Sequence, residues 1–338
     1  MQTYPHGLRG GGGRYIMKAA ARRAERSEKG GIPMTQSEWT SPAHSGEGRI
    51  YSRMWAPQQP RAVLLLVHGM AEHSGRYAPF ARFLAENGFA VFMNDHAGHG
   101  RSAVVQGYFA EKDGWDHVLG DLERLEADAR ARYPGLPVGI FGHSMGSFLT
   151  REYIARHGGR LYAAVVCGTM GKNPLLGFAR ALAGVQTAVK GPRSPAKLID
   201  SLSTGGYHRL FPGEGRSAWL CTDKAVQEAF DADPDCGFVF SASAYRDMFG
   251  GLAAITGPAW AAKVPKDLPV LVIAGDKDPV GDCGRGPTQV YGWLKAAGLE
   301  AELKLYPGMR HEILNEPGRA RVYEDVLGFL QGALPAAE

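Results

Sequence analysis

Val138-Gly-Ile-Phe141-Gly142-His143-Ser144-Met145-Gly146-Ser-Phe-Leu149 is the stretch on which the reading of this chain turns. Val138–Phe141 is a short apolar run of strand length, and Gly146–His157 carries helical spacing. Between them Gly142, Ser144 and Gly146 fit the pattern G-x-S-x-G in the strand-to-helix context that the pattern requires. A serine at that point sits on a very sharp turn in a strained conformation, with its hydroxyl clear of the backbone. The residues two before and two after approach the turn so closely that only glycine avoids a clash. The helix that follows places partial positive charge beneath any oxyanion formed there. Ser144 is therefore the candidate nucleophile.

Working outward, strands and helices alternate. Strands are expected at Arg49–Trp55, Ala62–Val67, Ala90–Met93, Val138–Phe141, Ala163–Cys167, Pro269–Ala274 and Ala301–Tyr306. Helices are expected at Tyr77–Asn87, Trp115–Tyr133, Gly146–His157, Pro287–Ala297 and Arg319–Leu330. Runs such as Ala62-Val-Leu-Leu-Leu-Val67 suit strands buried on both faces, as in parallel sheets. The expected class is α/β, a mostly parallel sheet with helices on both faces and right-handed crossovers. Residues 170–262 break the alternation. They hold helical pieces, much Gly and Pro and no clear buried strand, and read as an insertion between core segments 34–169 and 263–338.

A serine hydroxyl needs a base to take its proton, and the base needs a carboxylate to orient it. On this kind of sheet the chain order is Ser, acid, His. Downstream histidines are His157 at a helix end, His208 in the insertion and His311 after the last strand. His311 lies where a base is expected. The acid is expected in Gly275-Asp276-Lys277-Asp278-Pro279, after the strand Pro269–Ala274. Asp278 is favoured; Asp276 is the main rival and otherwise stabilises the turn; Asp282 is a third candidate. Oxyanion donors are expected from the backbone N–H of Met145 and of Met70, which follows the strand Ala62–Val67. The side chains of these two methionines are expected in the pocket wall.

Composition narrows the class. With 338 residues, 44% hydrophobic and 21% charged, the chain reads as an ordinary globular protein, and no apolar run approaches the roughly 20 residues of a spanning helix. The net charge of +4 misleads, because residues 1–33 carry +5 and leave −1 for residues 34–338. No nucleic-acid partner is expected. The Gly- and Arg-rich head reads either as a disordered tail or as a start assigned too early, with Met34 the true first residue. It lacks a secretory apolar stretch and fits a targeting peptide poorly. Cys167, Cys221, Cys236 and Cys283 form no metal-ligand spacing. Reduced thiols and a cytoplasmic location are expected.

Five blocks occur in one order: His68-Gly-Met-Ala-Glu-His-Ser-Gly-Arg-Tyr77, Asp95-His-Ala-Gly-His-Gly-Arg-Ser102, Gly142–Gly146, Gly275–Asp278 and His311. The set resembles the monoacylglycerol lipase and bacterial lysophospholipase group of α/β-hydrolases, the serine aminopeptidase S33 family, over roughly residues 40–332. The resemblance implies the α/β-hydrolase fold with a helical cap at 170–262. It implies Ser144, Asp278 and His311 as the catalytic triad and Met70 and Met145 as oxyanion donors. It implies cleavage of carboxylic esters, monoacylglycerol- or lysophospholipid-like, through an acyl-enzyme. Acyl transfer, short-ester cleavage and ligand sensing without turnover are the alternatives. No cofactor or metal is expected, and His96 and His99 read as part of a structural loop. Leu175, Leu176, Phe178, Leu182, Val185 and Val189 either wall an acyl chain or pack the cap onto the core. Transient contact with a membrane surface through the cap is a further expectation. One departure stands out: where mammalian-type members carry a cysteine three residues after the triad acid, this chain has Gly281.

Overall fold

Ala62–Val67 forms a strand buried along its whole length. Its alternate residues serve two different cores. Val63, Leu65 and Val67 pack with Leu119, Leu122, Ile154 and Leu294. Leu64 and Leu66 pack with Phe80, Leu84, Val322 and Val326 on the other side. Period-2 alternation thus explains why an unbroken apolar run is required: both faces of this strand are covered.

The computed structural model describes residues 23–25 and 34–336. Nine strands form one sheet: β1 (Arg23–Glu25), β2 (Met34–Pro42), β3 (Arg49–Pro57), β4 (Ala62–Val67), β5 (Phe89–Asn94), β6 (Val138–His143), β7 (Ala163–Cys167), β8 (Val270–Gly275) and β9 (Ala301–Tyr306). Their order is β1-β2-β3-β5-β4-β6-β7-β8-β9. The pairs from β5 through β9 are parallel, and β1–β2, β2–β3 and β3–β5 are antiparallel. Helices α1 (Ala78–Glu86), α2 (Gly114–Arg132) and α3 (Met145–His157) alternate with the strands. Five more lie between β7 and β8: α4 (Leu176–Lys190), α5 (Lys197–Ser203), α6 (Lys224–Ala232), α7 (Ala242–Ala254) and α8 (Pro258–Ala261). The chain closes with α9 (Arg285–Ala296) and α10 (Arg319–Gly332). The α/β-hydrolase fold, with a mostly parallel sheet covered on both faces, is therefore present.

β2 has no counterpart in the sequence reading. Its residues are half-buried or exposed along its length, and only Met34 and Trp39, five residues apart, pack against the two cores, so its apolar pattern is too weak to register. The tail expected over 1–33 falls outside the described residues except for Arg23–Glu25, which pairs with β2. No helix among the described residues is long and apolar enough to cross a membrane. All four cysteines are free. Cys167 is fully buried, and burial pushes its thiol well above the ordinary value, so it stays protonated and inert.

Candidate active site

β6 feeds straight into α3, and Ser144 takes the corner with φ 54 and ψ −122. This is left-handed backbone that a non-glycine residue adopts only at a cost. The flanking glycines show why the corner can be so tight. A Cβ on Gly142 would lie 2.2 Å from the carbonyl oxygen of Gly146, and a Cβ on Gly146 would lie 2.0 Å from that of Val67. The corner is pinned by the Ser144 N–H, which donates to the Cys167 carbonyl at 2.9 Å. Met145, the first residue of α3, has no helical acceptor for its N–H.

His311 lies in the loop after β9, with its ring nitrogen Nδ1 2.9 Å from Asp278 Oδ1. Both side chains are buried. Asp278 Oδ1 also accepts the Val280 N–H at 2.9 Å. The rival carboxylates are engaged elsewhere. Asp276 accepts the Gly308 N–H at 2.7 Å, tying the β8 turn to the β9 turn, and Asp282 pairs with exposed Arg285. His157 pairs with Glu123 at 2.7 Å. Ser144, Met145, Met70 and His311 all line one cavity of about 540 Å³, and His208 lines it too. The Trp219 ring covers His311 at 5.2 Å between centroids.

The loop after β4 is held from both sides of Met70. The Gly69 N–H donates to Glu72 Oε1 at 2.6 Å, and the Ala71 N–H donates to His99 Nε2 at 3.2 Å. Ala71 adopts φ 53. Among the described residues no backbone acceptor takes the Met70 N–H. The rings of His68, His96 and His99 meet edge-on or tilted beside this loop. Burial pushes His96 down to about 3 and His99 to about 4, so both are neutral. Their ring nitrogens face backbone groups: His96 Nε2 lies 3.2 Å from the His68 carbonyl, and His99 Nδ1 lies 3.0 Å from that of Ala97. They serve the loop as struts. His73, Asp233 and Cys236 bring ligand-type atoms within 4.8 Å of one another. His73 Nδ1, however, accepts the Gly75 N–H at 3.2 Å, so its proton sits on Nε2 and is directed at Asp233, 3.0 Å away. That arrangement is a hydrogen-bonded pair with no free nitrogen for a metal.

The sequence profile of the serine aminopeptidase S33 family matches residues 58–318. The chain belongs to this family of α/β-hydrolases. It is 31% identical to a monoacylglycerol lipase of Mycolicibacterium smegmatis over 300 residues, 88% of this chain and 98% of that one. It is 26% identical to a phospholipase of Bacillus subtilis, over 81% of this chain and 97% of that one. A solved carboxyl esterase from Bacillus coagulans, in complex with glycerol, superposes with a TM-score of 0.83 at 30% identity, covering 88% of this chain and 98% of that one. The S33 chain is thus a hydrolase, and three of its five ordered blocks, His68–Tyr77, Gly142–Gly146 and His311, line one cavity.

Two features of this S33 site lie beyond the sequence reading. First, the cavity wall differs from the expected one. Besides the expected Met70 and Met145, its apolar lining includes Phe148, Met170, Phe238, Met248, Phe249 and Leu252. None of the six residues at 175–189 lines it. α4 turns Ala183 and Leu176 inward against α7 and leaves Leu175, Phe178, Val185 and Val189 61–77% exposed, so most of that stripe neither walls the cavity nor packs on the core. Second, Glu72, Arg76 and Glu312 form a buried bridge from the Met70 loop to the His311 loop. Burial alone would raise both carboxyls. His143, 3.6 Å away, and the Arg76 charge hold Glu72 well below the usual range, and Arg76 holds Glu312 below it. The only sequence signal was the place of Glu72 and Arg76 within the block His68–Tyr77.

Proposed function

We propose that this chain is a serine esterase that cleaves monoacylglycerol- or lysophospholipid-like esters through an acyl-enzyme on Ser144, with His311 as base and Asp278 as its orienting carboxylate. His311 takes the Ser144 proton as Oγ attacks the ester carbonyl. The N–H groups of Met70 and Met145 hold the oxyanion. His311 then gives its proton to the leaving alcohol, and water cleaves the acyl-enzyme by the same path in reverse. The observation that carries the reading is the pairing of His311 Nδ1 with buried Asp278 in the cavity that a strained Ser144 also lines. The tautomer follows: Nδ1 bears the proton, and Nε2 is free to act as base.

The division into a core of residues 34–169 and 263–338 and a cap of residues 170–262 suits this reading, since the inserted segment supplies most of the cavity lining. The aromatic and methionine side chains there match a hydrocarbon arm, and Ser217, Arg216 and Asp231 match a hydroxylated or charged one. Leu175, Phe178, Val185 and Val189 are exposed, as are Leu198, Leu202 and Leu210, and α4 touches α5, which carries Leu198 and Leu202. Residues 172–210 hold six Lys or Arg and one acid, Asp200. An apolar stripe with basic flanks fits a transient seat on an anionic lipid surface, where such substrates reside.

A fluorophosphonate probe tests the reading directly. It labels Ser144, and Ser144→Ala loses both labelling and turnover of p-nitrophenyl esters. Labelling elsewhere, or turnover that survives Ser144→Ala, overturns it. Labelling without turnover of any ester identifies a ligand sensor instead, and product esters formed with added alcohol identify an acyltransferase.

A further inference from the structure

His143 stands directly before the nucleophile, is buried, and makes two contacts whose hydrogens can be assigned by elimination. On one side His143 Nε2 lies 3.2 Å from the His311 carbonyl oxygen. A carbonyl only accepts, so Nε2 carries a hydrogen. On the other side Nδ1 lies 2.8 Å from the Tyr77 hydroxyl oxygen, which also lies 2.8 Å from Glu72 Oε1. The tyrosine has one hydrogen for two short contacts. Were it donated to Nδ1, the hydroxyl and a carboxylate oxygen would face each other at 2.8 Å with nothing between them. Donated to Glu72, it leaves the Nδ1 contact to be filled from the histidine. Both ring nitrogens then bear hydrogens, and the ring is an imidazolium.

The charges agree. Glu72 accepts the Gly69 N–H at 2.6 Å and an Arg76 N–H at 2.6 Å, the pattern of an ionised carboxylate. Arg76 also holds Glu312 through two bonds of 2.6 and 2.7 Å. Its guanidinium stacks on the Phe230 ring of α6, 4.8 Å away. Two buried carboxylates against one guanidinium leave one negative charge without a partner. A charged His143 brings the cluster to zero, as burial demands. Burial holds His68 well below its ordinary value and raises the Cys236 thiol, so neither adds charge to the cluster. His311 stands 4.7 Å away between ring centroids and pairs with Asp278, and the Cys167 thiol behind the elbow is neutral. Burial acts to lower the pKa of His143, but the Glu72 carboxylate, 3.6 Å from Nδ1, turns the balance and raises it above the ordinary value.

We propose that His143 is a standing imidazolium at the working pH and a positioning residue for the site, locking the His311 loop to the Met70 loop through Tyr77, Glu72, Arg76 and Glu312. The same carboxylate that holds the Gly69 N–H, one residue before the Met70 donor, thereby reaches the carbonyl of His311 itself. Oxyanion donor and base are thereby tied to one hydrogen-bonded cluster of zero net charge. The positioning role rests on the esterase reading above; the charge of His143 does not.

The charge is read without substrate. In protein labelled with ¹⁵N-histidine, an ordinary histidine with a pKa of about 6.5 is only about 3% charged at pH 8. His143 is expected to show two protonated ring nitrogens at that pH, assigned by their loss in His143→Asn. Glu72→Gln and Glu312→Gln each remove the unpartnered negative charge and convert the signal to a neutral tautomer, and either suffices if the other variant does not fold. In steady-state assays both variants lower kcat by roughly 10- to 100-fold, the cost of displacing a reacting group by up to about 1 Å, with KM little changed. A neutral His143 at pH 8 in the unaltered protein overturns the proposal, even if Ser144 proves to be the nucleophile. A charged His143 whose loss in Glu72→Gln leaves kcat intact overturns the positioning role. Failure of Ser144 labelling with the imidazolium present overturns the esterase reading alone.

Discussion

Replacing Asp278 by Asn separates charge from geometry in this site. Asp278 Oδ1 takes both the His311 Nδ1–H and the Val280 N–H, at 2.9 Å each. An asparagine can keep its amide oxygen there and accept both, which leaves its NH₂ at the place of Oδ2, an atom with no partner among the described residues. The His311 tautomer is then preserved, and only the negative charge is removed. In the proposed cycle His311 becomes an imidazolium facing that charge during attack. A unit pair about 4 Å apart at an effective dielectric of about 20 is worth about 4 kcal/mol. At 1.36 kcal/mol per decade, kcat/KM is expected to fall by about 10³-fold. Asp278→Ala also removes the acceptor and is expected to fall further. Asp276→Asn and Asp282→Asn, whose carboxylates meet Gly308 and Arg285, are expected to stay within about threefold. The assay is p-nitrophenyl ester turnover with fluorophosphonate labelling rates, on variants whose Tm matches the parent. If Asp278→Asn keeps more than a tenth of the activity while Asp276→Asn or Asp282→Asn loses it, the assignment of the carboxylate is wrong.

Three further outcomes are expected. Gly146→Ala puts a Cβ 2.0 Å from the Val67 carbonyl, where ordinary contact begins near 3.4 Å. α3 and β4 must part by about 1.4 Å; Tm falls with a cost of about 1–3 kcal/mol and kcat drops roughly 100-fold, whereas an unchanged kcat would show that the elbow tolerates the shift. Burial raises the Asp121 carboxyl to about 7, and its Oδ2 has no partner among the described residues. The folded state therefore holds a proton that the unfolded chain releases near pH 4, so stability falls as pH rises from 4 to 7, by up to about 4 kcal/mol. Asp121→Asn removes that loss, and its gain in Tm over the parent grows from pH 4 to pH 8; a gain independent of pH refutes the account. Phe178→Ser with Val185→Ser keeps turnover of a water-soluble ester and loses co-sedimentation with vesicles containing anionic lipid, and retained sedimentation would place the lipid contact elsewhere.

What the sequence makes legible here is what depends on neighbours along the chain. β4 and β7 can be bounded to the residue, because strands covered on both faces need every position apolar. Ser144 can be singled out, because its strain is relieved by glycines two residues to either side. β2 shows the converse: with only Met34 and Trp39 on the two cores, it carries no pattern to read. The three aspartates after β8 lie within seven residues, and nothing local separates them; only the loop that carries His311, joined to one and not the others, does so. α4 has the spacing of a buried face, yet most of its large side chains are exposed, since periodicity marks a stripe without naming what covers it. Arg76 and Glu312 are 236 residues apart, and their bond is decided by how two turns meet. The charge on His143 is further removed still. It follows from Tyr77 having one hydrogen for two acceptor-length contacts, a count that requires coordinates. Side-chain identity sets which groups are available at this site; the protonation that makes them work together is a property of the assembled cluster, and an individual residue of that cluster cannot be substituted without changing the charge of the rest.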